Sequence, residues 1–286
     1  MMWRNPTNPS FKAYEYWSAI KKNIGGRSLS FDSKDAWYLV LDQGIGDCVP
    51  VLSLLDDFRE QYGGPIVIIA PLVKRSLIAL YRDKIDGAFF VPDHLVDFLP
   101  RFADFGLLER GQPFYTWWPA RGEGRVEGYI EGETVLSVQQ LFRIKLGLPD
   151  TARPKPPTIK SEYREAAQTR FAELNLEPGR TVVLFPYTGT APRFGASFWS
   201  DLTSTLTQEG FQVTTNMSVS ASRKRSRLVG DHEKGRPPMA EGSVAIDLSL
   251  EEMLGFVEIA GNVIAAASGI CDLLAFSNSH KLFMFP

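Results

Sequence analysis

Short, almost unbroken apolar runs alternate with stretches of helical spacing along the first half of the chain. The run over 36–42 (AWYLVLD) is typical of a parallel strand that is covered on both faces. A glycine-containing turn over 43–47 follows it, and then apolar residues at helical spacing over 48–62. Similar patterns predict strands over 65–70, 87–91 and 114–117 and helices over 72–81 and 136–146. This alternation predicts βαβ units and a doubly wound sheet.

A proline-rich segment over 149–160 interrupts the alternation, and we predict that it is an interdomain linker. The same alternation restarts after it, and a polar, basic stretch over 219–241 is typical of a long loop. The patterns of this half predict helices over 162–174, 198–208, 250–260 and 270–276 and strands over 181–185, 211–215, 262–266 and 281–285. We therefore expect an α/β protein of two Rossmann-like domains, residues 1–150 and 151–286, with a cleft between them.

Composition removes several classes of function. A net charge of -2 and the absence of an excess of Lys and Arg argue against a nucleic-acid partner. Cys48 and Cys271 are predicted to be free thiols in a reducing cytoplasm. No window approaches the roughly 20 apolar residues of a membrane span, so we expect a cytoplasmic protein. The few His and Cys residues show no metal-ligand spacing, so neither a metal site nor a cofactor is expected.

The turn after the first predicted strand is the first candidate site, because ligands of open parallel sheets bind where the strands end. Gly44 and Gly46 are expected to allow positive φ angles and the close approach of a ligand. Asp47 falls at or near the start of the following helix. Two interpretations stay open for Asp47, a helix cap worth about 1 kcal/mol or a carboxylate that takes a proton from an acceptor hydroxyl.

The second half offers two further turns where strands end. Thr188 and Thr190 lie in a hydroxyl-rich turn, and Arg193 follows them, so this turn could hold phosphate oxygens or be a plain surface loop. The strand over 262–266 runs into Ser268 and Gly269 at a helix start, with Asp272 in the first turn. Unpaired N–H groups and the helix dipole favour an anion there, although a tight strand-to-helix turn explains the same residues.

These motifs together resemble the lipopolysaccharide heptosyltransferases of glycosyltransferase family nine, which have the GT-B fold. The resemblance begins with G-I-G-D before an apolar helix at 44–50 and continues with P-Y-T-G-T, R-F and F-W over 186–199. It ends with I-D-L-S-L-E-E-M at 246–253 and S-G at 268–269. Each piece is short, and their common order over residues 36–286 carries the resemblance.

The resemblance implies an inverting, metal-independent transfer of a hexose or heptose from a nucleotide sugar to a hydroxyl of a polysaccharide or glycolipid. Asp47 matches the aspartate of the family that is thought to act as general base. Thr188 and Arg193 match positions near the donor phosphates, and Ser268 and Gly269 match the residues that meet the diphosphate. The donor and a carbohydrate or lipid-linked acceptor would then be the partners.

The sequence departs from the family pattern at two places. The family usually has Asp before the Ser/Thr-Gly pair and His three residues after the Gly, and this chain has Ala267 and Asp272. A catalytically silent sugar-nucleotide binder and a sugar-nucleotide epimerase therefore stay as alternatives. The basic residues at 223–227 are typical of a solvated loop, with contact to donor phosphates or to an anionic inner-membrane surface as the other interpretations.

Overall fold

The structure is a computed structural model that describes residues 34–91, 108–116, 137–188, 194–218 and 239–285. Thr190, Arg193 and the basic residues at 223–227 lie outside the described residues. The chain divides into two compact units, Met1–Pro156 and Pro157–Pro286, and the division falls within the segment predicted as the linker. Among the described residues, no helix is both long and apolar enough to cross a lipid bilayer.

Unit 1, Met1–Pro156, contains a four-stranded parallel sheet in the order β3-β2-β1-β4. Val40 near the end of β1 pairs with Ile69 of β2, so the carboxyl ends of these two strands lie at the same edge. The residues of β1 and β2 are buried throughout, as expected for strands covered on both faces. The strands are β1 Trp37–Val40, β2 Ile66–Pro71, β3 Gly87–Val91 and β4 Pro113–Tyr115.

The helices of unit 1 follow the strands in the predicted alternation. The helix predicted over 72–81 is divided into a 3₁₀ turn, Leu72–Lys74, and a short α-helix that follows it. The last helix begins with a capping box in which Ser137 and Gln140 exchange side-chain and backbone hydrogen bonds. The α-helices are α1 Ile45–Ser53, α2 Leu55–Tyr62, α3 Arg75–Ala79 and α4 Val138–Lys145.

The prediction of one continuous helix over 48–62 is wrong, because the chain breaks at Leu54 between α1 and α2. The Ser53 hydroxyl donates a hydrogen bond of 2.8 Å to the carbonyl of Pro50. That carbonyl is the one that the Leu54 N–H would use in a continuous α-helix. The Leu54 N–H turns instead to the Val51 carbonyl at 3.2 Å. A local side-chain hydrogen bond thus accompanies the end of the first helix.

Unit 2, Pro157–Pro286, contains a five-stranded parallel sheet in the order β7-β6-β5-β8-β9. The three-residue strand β7 was not predicted, since it lies within a stretch that is mostly polar and exposed. The elements of unit 2 are α5 Ser161–Glu173, β5 Thr181–Phe185, α6 Ala196–Gln208, β6 Gln212–Asn216, β7 Val244–Ile246, α7 Leu250–Ala260, β8 Gly261–Ala266, α8 Gly269–Leu274 and β9 His280–Met284.

The core of unit 2 lies against its sheet. Trp199 of α6 is fully buried in a cluster with Val182 and Leu184 of β5. Helices α5 and α7 pack together, with the Phe171 and Phe256 ring centroids 5.0 Å apart. These contacts form the core beside the sheet whose strands lead into the polar turns.

Candidate functional site

The start of α1 places Asp47 at the carboxyl edge of the unit 1 sheet. Gly44 is the N-cap residue of the helix, and Asp47 is its third residue. The prediction that Asp47 could itself be the cap is therefore corrected. Its carboxylate still contributes to the helix start, because it is hydrogen-bonded to the Gly44 backbone. A side chain with this role also stands at the edge where ligands of parallel sheets bind.

The expectation of positive φ at Gly44 and Gly46 is wrong. Gly44 has a φ of -56°, and Gly46 lies inside α1 and is not among the positive-φ glycines. The need for glycine at 44 is spatial, since a Cβ there would lie 3.1 Å from Oδ2 of Asp47. The missing side chain leaves room for the Asp47 carboxylate to fold back over the turn.

The environment of Asp47 suits a proton acceptor. The residue is half-buried, and this burial raises the pKa of the Asp47 carboxyl group above its usual range. The charge of Lys74 and the hydrogen bond with the Gly44 backbone lower the pKa and offset part of the rise. A carboxyl group whose pKa is raised, but whose ionised form is still stabilised by a nearby charge and a hydrogen bond, has the properties of a general base.

Lys74 is a charged residue of this edge that the sequence did not reveal. It ends the 3₁₀ turn that follows β2, and only 4% of it is exposed. Lys74 follows β2, and Asp47 and Cys48 follow the neighbouring strand β1, so the charge of Lys74 acts on both groups. In the sequence, Lys74 stands out only as a lysine in an otherwise apolar strand-to-helix connection. Its relation to Asp47 becomes clear only when β1 and β2 are known to be neighbours.

A buried hydrogen-bond network fixes the turn that carries Asp47. The Gln43 side chain donates from Nε2 to Thr116 Oγ1 at 3.0 Å and accepts the Asp42 N–H at 3.1 Å. Thr116 Oγ1 in turn donates to the Val40 carbonyl at 2.8 Å. Gln43 is 6% exposed and Thr116 is not exposed at all. This network ties the end of β1 to the residue after β4.

In unit 2, two of the predicted donor-binding residues follow neighbouring strands. Thr188 is buried and comes three residues after β5, and Ser268 comes two residues after β8, which pairs with β5. Ser268 is the N-cap of α8 but makes no side-chain cap hydrogen bond, and Gly269 begins the helix. Asp272 is exposed in its first turn. The described members of this predicted set therefore share one edge of the sheet.

Polar residues that were not predicted complete this edge beside β6 and β7. The Ser218 hydroxyl donates to the Leu248 carbonyl at 2.6 Å and contacts Asp247 Oδ1 at 2.5 Å. Asn216 Oδ1 accepts the Ser218 N–H at 3.3 Å. These residues are scattered in sequence, so only the pairing of β6 with β7 brings them together. In the described part of the chain, no group of three or more His, Cys, Asp or Glu side chains is arranged to hold a metal ion.

Both cysteines are free, as predicted, and both are buried. Each lies in the helix after a strand and donates its thiol to a carbonyl five residues earlier, Cys48 to Gln43 and Cys271 to Ala266, both at 3.5 Å. Burial raises the pKa of the Cys48 thiol to about 12 and also raises that of Cys271. The thiols are therefore packing groups rather than nucleophiles.

Two units, each with a parallel sheet and polar turns at its carboxyl edge, agree with the predicted GT-B-like fold, and solved glycosyltransferase structures match the chain. The E. coli ADP-heptose lps heptosyltransferase II matches with a TM-score of 0.58 and 16% identity over 87% of this chain and 84% of its own. A glycosyl transferase of family 9 from Veillonella parvula matches with a TM-score of 0.57 and 11% identity over 90% and 89%.

An E. coli heptosyltransferase bound to ADP-2-deoxy-2-fluoro heptose also matches, with a TM-score of 0.52 and 13% identity over 87% of this chain and 88% of its own. No protein-family model matches the chain. No curated protein matches it either. The structural neighbours thus confirm the predicted fold of two Rossmann-like domains and agree with the resemblance to family nine.

Proposed function

We propose that the protein is a glycosyltransferase that moves a hexose or heptose from a nucleotide sugar to a hydroxyl of a polysaccharide or glycolipid, with inversion and without a metal. The observation that carries the proposal is the half-buried Asp47 at the carboxyl edge of unit 1. The likeness in fold to family-nine glycosyltransferases supports the assignment. Fold alone hosts many functions, so the site has to carry the chemistry.

In the proposed reaction, Asp47 takes the proton of the acceptor hydroxyl as that oxygen attacks the anomeric carbon of the donor. The new oxygen–carbon bond forms as the bond from the anomeric carbon to the diphosphate breaks, and the nucleoside diphosphate leaves from the opposite face. A base contributes most when its pKa lies near the working pH, and burial moves Asp47 in that direction. The Gln43–Thr116 network keeps the turn in place, which limits the cost of reorganisation.

The donor is proposed to bind at the carboxyl edge of unit 2. Thr188 and Ser268 follow neighbouring strands, and Ser268 is the N-cap residue of α8. Thr190 and Arg193 belong to the same proposed set, with Arg193 as the cation for the diphosphate. Solved neighbours carry ADP and an ADP-heptose analogue, so an ADP-sugar is the first donor to test.

A catalytically silent sugar-nucleotide binder is the second candidate. It is favoured by Ala267 and Asp272, which stand where the family usually has Asp and His. Both candidates predict binding of a nucleotide sugar, and only the enzyme consumes it. The protein should be screened by thermal shift against ADP-, GDP-, UDP- and CMP-sugars, because a ligand of the native state raises the melting temperature.

The donor that stabilises the protein is then incubated with it, and release of the nucleoside diphosphate is followed with and without candidate acceptors. Transfer, or slow hydrolysis of the donor, supports the enzyme. Stabilisation without any release of diphosphate would establish the binder instead. Failure of every nucleotide sugar to stabilise the protein would remove both candidates.

A further inference from the structure

We propose that Lys74 acts through Asp47 as a positioning residue, and that its ammonium group keeps the Asp47 carboxylate ionised at the carboxyl edge of unit 1. The proposal rests on the proposed function, since it gives Asp47 the role of base. It adds a residue that no motif of the sequence indicated. The argument comes from the topology of unit 1, from the burial of Lys74 and from the charges around Asp47.

The topology brings the two side chains to one place. Asp47 follows β1 and Lys74 follows β2, and these strands are parallel neighbours with Val40 opposite Ile69. Helix α3 begins directly after Lys74 and buries Leu77, so the backbone at Lys74 is held against the sheet. The Lys74 side chain therefore starts from a buried part of the fold rather than from an exposed loop.

The burial of Lys74 needs a compensating interaction. Only 4% of the residue is exposed, and a buried charge is costly unless an opposite charge is close. Within the described part of the chain, Lys74 forms no direct ion pair within 4.0 Å. Its charge acts through space on Asp47 and on the neighbouring Cys48. Asp47 is thus one carboxylate that the charge of Lys74 reaches.

Several charged side chains near α1 have other partners, whereas Asp42 acts through space on Cys48, as Lys74 does. Asp57 Oδ2 of α2 is buried and has no hydrogen-bond partner in the described part of the chain. On α4, which packs against α1, Arg143 pairs with Asp150 at 2.7 Å. Lys145 of the same helix has its Nζ 6.0 Å from the centre of the Phe114 ring. On α2, Asp56 accepts from Lys84 at 2.9 Å. Among the described residues, Lys74 is the charged side chain that acts on Asp47.

The consequence is a pH-dependent effect on catalysis. A base must be ionised to accept a proton, and burial favours the protonated form of Asp47. Without Lys74, Asp47 would stay protonated to a higher pH, and the rate would fall most on the acid side of the profile. A displacement of one pH unit changes the ionised fraction about tenfold below the midpoint. A purely structural role would lower the rate equally at every pH.

The test is a direct titration of Asp47 in the full chain. Protein labelled with ¹³C at the aspartate carboxyls is titrated by NMR, and the Asp47 resonance is identified by its loss in Asp47→Asn. We expect the midpoint to move to higher pH in Lys74→Met and to stay near that of the wild type in Lys74→Arg. The matched control is Arg75→Met, which removes an exposed charge one residue further on and should leave the midpoint unchanged.

A folded Lys74→Met protein with an unchanged Asp47 midpoint would overturn the proposal. Lys74→Gln is titrated in the same way and with the same criterion if the Met variant does not fold. The titration needs no substrate, so it separates this proposal from the proposed function. A moved midpoint without any transfer activity would remove the enzyme and leave the Lys74–Asp47 coupling standing. Transfer activity with an unmoved midpoint would remove Lys74 alone.

Discussion

Replacing Thr116 by Val tests whether the network beneath the Asp47 turn is a structural unit. The variant keeps the shape of the side chain and removes the hydroxyl that donates to Val40 and accepts from Gln43. The Val40 carbonyl keeps its bond with the Thr116 N–H at 3.2 Å, but the Gln43 amide loses its partner. Gln43 is 6% exposed, so water cannot readily replace that partner.

The expected cost follows from these contacts. A typical hydrogen bond contributes about 0.5–1.5 kcal/mol, and stranding a buried donor costs about 1–3 kcal/mol. One lost hydroxyl donor and one stranded amide give a destabilisation of about 2–4 kcal/mol for Thr116→Val. In Gln43→Leu the hydroxyl can still donate to Val40, but the Asp42 N–H loses its acceptor, so this variant should also lose stability. The double variant strands no side-chain amide, so its cost should be below the sum of the two single costs.

The assay is hydrogen exchange by mass spectrometry across a urea series, read on peptides that cover β1 and the start of α1. Reading each unit separately avoids treating the whole chain as a two-state system. We expect a coupling energy of about 1 kcal/mol or more, as found for residues in one network. Additivity within about 0.5 kcal/mol, or no loss in Thr116→Val, would refute the network as described.

Three further predictions follow from single residues. The stability of Asp47→Asn relative to the wild type should increase as the pH rises. The raised carboxyl pKa means that protonation of Asp47 stabilises the folded wild-type protein, and this stabilisation is lost above the pKa. Parallel stability curves of the two proteins against pH would contradict this. Gly261→Ala should lower the melting temperature more than Gly179→Ala. Both glycines have a positive φ, but only a Cβ at position 261 would meet backbone, at 2.9 Å. Equal losses of melting temperature in the two variants would contradict this prediction. Burial lowers the pKa of Lys145 to about 8, so its acylation rate, measured by peptide mass spectrometry, should level off above about pH 8 rather than rise further.

The strands were largely predictable because strands buried on both faces consist of short, almost unbroken apolar runs. The runs at 87–91 and 181–185 form strands with those same limits, and each is a short apolar segment in a fully parallel sheet. Helix α7 also has the predicted limits, since Ser249 and Glu252 form a capping box at its start. Local chemistry of this kind needs no knowledge of distant contacts.

The rest depended on contacts that a linear pattern does not contain. The break at Leu54 coincides with a hydrogen bond from the Ser53 hydroxyl to the Pro50 carbonyl, which the apolar spacing does not indicate. Strand β7 exists because β6 offers it a partner, although two of its three residues are exposed. The motifs led to Asp47 directly, but the importance of Lys74 appears only from the pairing of β1 with β2. A carboxylate within a motif can be identified from the sequence, whereas the groups that change its pKa can be identified only from the fold.

The rate of sugar transfer by Asp47→Asn tests the central claim most directly. It should be measured with the donor that stabilises the protein, beside Asp83→Asn, which neutralises an exposed aspartate before β3. We predict that Asp47→Asn still binds the donor but transfers about 10²–10⁴-fold more slowly, the usual contribution of a general base, while Asp83→Asn keeps the wild-type rate. A folded Asp47→Asn protein that transfers sugar at the wild-type rate would contradict the account and leave Asp47 with only its part in the helix start.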